Sequence, residues 1–276
     1  MQRMKDSFYS FRDVNPKEWR INIRGRLQAE AGDFLRNHLG ETLNLFFLES
    51  SRGWFHDSKE VMKNASSDYV FFWIEDHVLL RDVNYLIGSL SELKRYNVDY
   101  LLYSFLIDEI LRQFNSAGHP QSKSFIHIWR LNKRSFQKVR QTLGRDFYVI
   151  SCVSITNITL FQKILSSRRP LLRRWPINLP FDFEKRWTDH FVDNLVCALP
   201  KKELFVSIDD DHGQENYSLI SRGLYENRIS RDQLKSIEFS GSYFGFSKRF
   251  LEISLIRVLL TYIRRFFYTL HFLLRG

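Results

Sequence analysis

The stretch SSDYVFFWIEDHVLL, residues 66–80, decides the fold. Its core, Asp68 to Ile74, is aromatic, β-branched and nearly continuous in apolar character. That pattern predicts a strand covered on both faces, as in a sheet with helices on either side. The run stops at Glu75-Asp76-His77. In open α/β sheets, ligands bind at the carboxyl ends of strands. Carboxylates there suit a divalent cation such as Mg²⁺ or Mn²⁺, and His77 suits Mn²⁺ better than Mg²⁺. A solvated acidic turn that only ends the strand is the alternative reading.

Working outward, short apolar runs alternate with helical patterns, which predicts an α/β chain. Upstream, Trp19 to Ile23 and Leu43 to Leu48 read as strands, with a helix over Leu27 to Leu39 between them. Asp57 to Ala65 reads as a helix with Asp57 or Ser58 as its N-cap. Downstream, Val83 to Tyr96 is helical, and Tyr100 to Phe105 and Phe125 to Leu131 are strands. A helix is expected over Ser135 to Leu143. Phe147 to Ile155 reads as a strand or buried turn leading into a helix at Leu160 to Leu165. Asp182 to Leu199 reads as helical, Ser218 to Tyr225 and Ser230 to Ile237 as short helices, and Glu203 to Ile208 as a strand.

That last strand ends in Asp209-Asp210-Asp211-His212. Adjacent aspartates repel one another, and a cation relieves the repulsion. Two acidic strand ends in one α/β chain point to a metal–diphosphate site more strongly than either alone. Between them lies SSRRPLLRRWPINLP, residues 166–180, a proline-broken loop carrying Arg168, Arg169, Arg173 and Arg174. The guanidinium fork matches phosphate oxygens, although a solvated basic loop, or one lying on anionic lipid, gives the same sequence.

These residues together resemble the GT-A glycosyltransferases of family 2 and its relatives, over roughly residues 7–246. In that family a strand like SSDYVFFWI leads into a DxD motif, matched here by Glu75, Asp76 and His77. PKEWRINIRG (16–25) is similar to the family's second strand. PFDFEKRW (180–187) is similar to its acceptor-side acidic motif. The resemblance implies a GT-A-like fold, a mixed sheet flanked by helices. It further implies a nucleotide-sugar donor whose diphosphate meets Glu75, Asp76, Arg173 and Arg174. Mn²⁺ or Mg²⁺ would be held by Asp76, His77 and His212. Asp182 or Glu184 would be the base that deprotonates an acceptor hydroxyl. Two positions depart from the pattern: Arg24 stands where the family has an Asp facing the nucleoside, and His77 replaces the last Asp of DxD. The chain also opens at what reads as the helix following the family's first strand, so a short N-terminus is expected.

Composition sets the setting. Hydrophobic residues make up 44% of the 276, enough for a packed core. Lys and Arg exceed Asp and Glu by 41 to 31, a net charge of +10, which calls for an anionic partner. Cys152 and Cys197 form no zinc or disulfide pattern, and MQRMKDSFYSFRD lacks the apolar core of a signal peptide. Both observations point to the cytoplasm. Residues 250–275 (FLEISLIRVLLTYIRRFFYTLHFLLR) form a helical pattern with Arg257, Arg264 and Arg275 in a narrow stripe on a broad apolar body. This predicts a C-terminal amphipathic helix, 248–276, lying in the headgroup layer of an anionic membrane rather than crossing it. A helix packed on the protein itself is the alternative.

Three functions follow in order: a glycosyltransferase at the inner face of the cell membrane that builds surface polysaccharide on a glycan or lipid-linked acceptor; a non-catalytic relative that binds a membrane or partner enzyme; and a nucleic-acid binder. The last rests on charge alone, without an RNP, helix-turn-helix or zinc pattern, so no nucleic-acid partner is expected. There is no GxSxG, P-loop, GxGxxG or HExxH. His119, His127 and His190 are isolated.

Overall fold

The structure is a computed structural model of the whole chain. It describes residues 1–49, 54–102, 107–142, 154–166, 194–209 and 218–225. All of these fall in one compact unit, Met1–Glu226. The predicted C-terminal helix, 248–276, the loop 167–180 and the predicted helix at 230–237 lie outside the described residues.

The strands in chain order are β1 (Trp19–Asn22), β2 (Leu43–Phe46), β3 (Tyr69–Phe71), β4 (His77–Leu79), β5 (Tyr100–Leu102), β6 (Gln121–Ser122), β7 (Ile126–Leu131), β8 (Ser154–Asn157), β9 (Leu195–Pro200) and β10 (Phe205–Ser207). The α-helices are α1 (Gln2–Phe11), α2 (Gln28–Leu39), α3 (Trp54–Val61), α4 (Val83–Arg95), α5 (Ile107–Phe114), α6 (Lys133–Thr142) and α7 (Ile158–Leu165). Six strands form a mixed sheet in the order β3-β8-β5-β9-β7-β6, while β1 pairs with β2 in parallel and β4 with β10 antiparallel. The α/β reading, a mixed sheet flanked by helices, therefore holds.

The core follows from the apolar spacing of each element. Leu86 and Leu93 of α4 lie seven residues apart and are fully buried, as are Phe114, Phe136, Val139 and Phe161 on later helices. They join the sheet residues Tyr100, Leu101, Ile155 and Cys197 in one cluster. Asp82 caps α4 by accepting from the Tyr85 N–H at 2.8 Å, and Asn157 caps α7 by accepting from the Thr159 N–H at 2.9 Å. The Asp99 carboxylate accepts from the Val196 N–H at 2.8 Å, and its carbonyl accepts from the Asn157 N–H, so one residue joins β5 to β8 and β9. Burial raises the Asp99 carboxyl, and the Val196 N–H acts against that rise. Glu92 of α4 accepts from three successive N–H groups, those of Ser124, Phe125 and Ile126, and fixes the entry into β7. Alongside it, the Phe125 ring lies so close to Gly88 that an added Cβ would come within 2.5 Å. The helix therefore needs glycine there.

Four expectations are corrected. Asp68–Ile74 is not one strand buried on both faces: only Tyr69–Phe71 is a strand, it is half-buried, and it is an edge of the six-stranded sheet among the described residues. Phe71 packs on Phe11 of α1 and Phe205 of β10, and the Tyr69 hydroxyl donates to the Leu93 and Val98 carbonyls. Leu195–Pro200, read as the end of a helix, is instead the most buried strand, paired with β5 and β7. Six consecutive buried residues satisfy a strand between two neighbours, whereas a helix would show one polar face. Residues 218–225 form turns, not a helix; the Leu219 and Ile220 N–H groups bond the Ser207 and Ile208 carbonyls beside β10. Finally, α3 begins at Trp54, so Asp57 sits inside the helix, buried against Arg24, and is not its cap.

Candidate functional site

Glu75 and Asp76 do not end a strand: β3 stops at Phe71 and His77 opens β4, so they lead into the amino end of β4, and the carboxyl end of β10 lies beside them. β4 runs antiparallel to β10 with His77 opposite Ser207, and the Ile208 N–H bonds the Asp76 carbonyl at 2.7 Å. Asp209 follows directly. Helix α1 closes the other side: the Ser7 hydroxyl donates to the His77 carbonyl, and the Ser10 hydroxyl oxygen accepts from the Leu79 N–H at 3.0 Å. Trp73 donates its ring N–H to the Ser7 oxygen at 2.9 Å. A serine at every third position of α1, Ser7 and Ser10, thus fastens the helix along β4, where a strand edge would otherwise lie bare.

Each acidic group of this cluster has a distinct environment. Asp76 bonds His77 Nδ1 at 2.8 Å through Oδ1 and receives the Ser207 hydroxyl at 3.3 Å on Oδ2. Burial acts to raise the Asp76 carboxyl, but the His77 bond and charge, with Ser207, outweigh it and hold the group below its usual range. Glu75 behaves oppositely. The residue is exposed, and its carboxyl is pushed up by desolvation, with the Asp76 and Asp209 charges adding. The two neighbouring carboxyls are thus shifted in opposite directions. His77 is only 4% exposed, and its Nε2 has no hydrogen-bond partner. Asp209 is paired with Arg3 of α1. Nearby, the Tyr225 hydroxyl donates to Asp6 at 2.5 Å; burial, with that bond and the Asp6 charge, pushes its phenol up to about 12.

Of the residues singled out in the sequence, Glu75, Asp76 and His77 are together and Asp209 joins them. Asp182, Glu184, Arg173, Arg174 and His212 lie outside the described residues. Among the described residues no three His, Cys, Asp or Glu side chains converge closely enough to hold a metal ion. Asp76 bonds His77 and Ser207, and Asp209 pairs with Arg3; Asp210, Asp211 and His212, which follow, lie outside the described residues. Arg24 does not join this cluster. It donates to the Leu48 carbonyl at 3.1 Å and pairs with Asp57 at 3.2 Å, closing the ends of β1 and β2 against α3.

Sequence reasoning missed Arg3 and Ser207. Arg3, Ser7 and Ser10 recur at the spacing of one helix face, a signal present in the sequence; Ser207 is placed only by the β4–β10 register. A shallow depression lined by Gly118, His119, Gln121 and Trp129 lies beside β6 and β7, and no carboxylate lines it.

No protein-family model matches the chain, and no curated protein matches it in sequence. Among solved structures, the chain is similar to S. aureus TarS 1–349, with 15% identity over 75% of this chain and 56% of that one, at a TM-score of 0.47. It is similar to a crystal structure of S. aureus TarS with 16% identity over 75% of this chain and 34% of that one, at 0.46. A third, TarS 1–349 in complex with UDP-GlcNAc, shows 16% identity over 73% and 53%, at 0.45. The chain thus spans between a third and just over half of the length of these structures.

Proposed function

We propose that the protein is a glycosyltransferase that moves a sugar from a nucleotide-diphosphate donor to a glycan or lipid-linked acceptor in cell-surface polysaccharide synthesis. One observation supports the reading: the β4–β10 ladder sets Glu75 and Asp76, at the start of β4, beside Ser207 and Asp209 at the end of β10. A departing diphosphate gathers negative charge, and carboxylates would serve it only through a divalent cation held between them and its oxygens. In this reading Glu75 and Asp76, with Arg173 and Arg174, border the donor diphosphate, and Asp182 or Glu184 takes the acceptor proton. Mn²⁺ or Mg²⁺, with His212 as a further ligand, belongs to the same proposal.

The test is transfer and binding with a panel of sugar nucleotides, with and without Mn²⁺ and Mg²⁺. Asp76→Ala and Asp182→Ala are each expected to lower transfer at least ~tenfold, about 1.4 kcal/mol of lost transition-state stabilisation. Full activity in both variants removes the site.

A second reading, a non-catalytic relative that binds a membrane or partner enzyme, draws on Arg24. The end of β1 is sealed by the Arg24–Asp57 pair instead of presenting a carboxylate. A folded full-length sample that gives no heat with any sugar nucleotide favours it.

Both readings place the protein in the cytoplasm, peripheral on the inner face of the membrane through 250–275. No helix among the described residues is long and apolar enough to cross a membrane. Co-sedimentation with anionic vesicles is expected for the whole chain and lost on deleting 248–276; equal sedimentation of both forms would place the contact elsewhere.

A further inference from the structure

Strand β6 is an edge of the six-stranded sheet among the described residues, and a depression of about 290 Å³ lies beside it. Small-ligand sites begin at roughly this size. Gln121 of β6 lies opposite Ile128 of β7. His119 and Arg130 stand two residues further along their own segments, in the same direction, and both line the depression. Antiparallel pairing thus brings a histidine that is isolated in the sequence to the same site as an arginine. Trp129 backs the depression. It is 3% exposed, its ring N–H donates to the Gly118 carbonyl at 2.9 Å, and its ring packs on Phe114. Gly118, at a φ of 125°, has open space where a side chain would stand, so the mouth is clear.

His119, Gln121 and Arg130 are all exposed, and each can donate a hydrogen bond. No carboxylate lines the depression, and none among the described residues pairs with Arg130. The Asp99 carboxyl feels the Arg130 charge but bonds the Val196 N–H. Lys133 and Arg134, exposed at the start of α6, extend the positive charge beyond Arg130. An anion entering here exchanges water on the guanidinium for charge-assisted hydrogen bonds. A carboxylate offers two oxygens, which the guanidinium fork satisfies alone. A phosphate ester offers three, enough to meet His119 and Gln121 as well.

We infer that this depression binds a phosphate group, with Arg130, His119 and Gln121 donating to its oxygens. The group belongs either to a soluble phosphate ester or to a lipid headgroup. The inference is independent of the donor reading above.

The experiment compares the full chain as wild type, Arg130→Gln and Lys59→Gln, the last removing an equal charge from α3. Both positions are exposed, and circular dichroism melts confirm folding. Inorganic phosphate is titrated at constant ionic strength and followed by the indole N–H resonance of Trp129, assigned with Trp129→Phe. A saturable shift is expected in wild type and in Lys59→Gln, with affinity roughly tenfold lower in Arg130→Gln. A Trp129 resonance that stays still, or moves without saturating, overturns the site. So does equal weakening by Arg130→Gln and Lys59→Gln, which marks attraction to net charge. Glycerol 3-phosphate in the same titration, and sedimentation with phosphatidylcholine vesicles with and without phosphatidic acid, separate the two sources. Glycerol 3-phosphate that matches inorganic phosphate, with equal sedimentation of wild type and Arg130→Gln, upholds a soluble ester. Phosphatidic-acid-dependent sedimentation that Arg130→Gln weakens and Lys59→Gln does not upholds a headgroup.

Discussion

Asp57→Ala is expected to lower stability by about 3–5 kcal/mol, the usual cost of removing one partner from a buried ion pair. Asp57 is 2% exposed, and its Oδ2 lies 3.2 Å from Nη2 of Arg24, which is itself mostly covered. The same guanidinium donates from Nε to the Leu48 carbonyl. One side chain therefore ties the end of β1 to the end of β2 and to α3, and losing the carboxylate leaves its charge without this counterpart in a poorly solvated place. Chemical denaturation reads the change as a shift in midpoint at constant slope. The double variant Arg24→Met/Asp57→Ala should recover much of the loss, because both charges leave together. A single-variant loss below about 1 kcal/mol would show a pair behaving like one at the surface.

Phe11→Ala is expected to cost about as much, 3–5 kcal/mol, through the cavity left by a large buried ring. Phe11 is fully buried. Its ring centroid is 5.0 Å from Trp73, 5.8 Å from Trp19, 6.1 Å from Phe205 and 6.3 Å from Phe71. Those partners belong to β1, β3, β10 and the segment before β4, and among the described residues no hydrogen-bonded ladder unites the three sheets. Aromatic packing on α1 thus does what backbone pairing does not. Phe11→Leu, which keeps most of the volume, should restore over half of the loss in thermal melts. If alanine and leucine variants melt alike and close to wild type, α1 is not the bridge between the sheets.

The sequence was most legible where its pattern is local. Alternation placed β1 and β2 within two residues, and apolar spacing placed α2, α4 and α7. Partner choice was not legible. Aromatic continuity in Asp68–Ile74 predicts a strand buried on both faces, whereas β3 is a half-buried edge among the described residues. Leu195–Pro200 was absorbed into a helix because its upstream neighbours carry helical spacing, and only pairing with β5 and β7 reveals the strand. The acidic run at Glu75–His77 was readable from composition. Its junction with Asp209 depends on a ladder between distant residues, and its pairing with Arg3 depends on how α1 lies along β4. Neither is written in any short window.

Strand β9 is the shared partner of β5 and β7, yet it comes last in the chain among the strands of the large sheet. During synthesis from the N-terminus, Tyr100–Leu102 and Ile126–Leu131 emerge long before Leu195–Pro200 can fill the space between them. Until then the sheet stands open along its midline with two apolar strand edges bare, a state that invites aggregation. A nascent chain of this protein is therefore most dependent on chaperone shelter between the emergence of β7 and that of β9, and closing so distant a contact makes completion of the sheet the slow step of its folding.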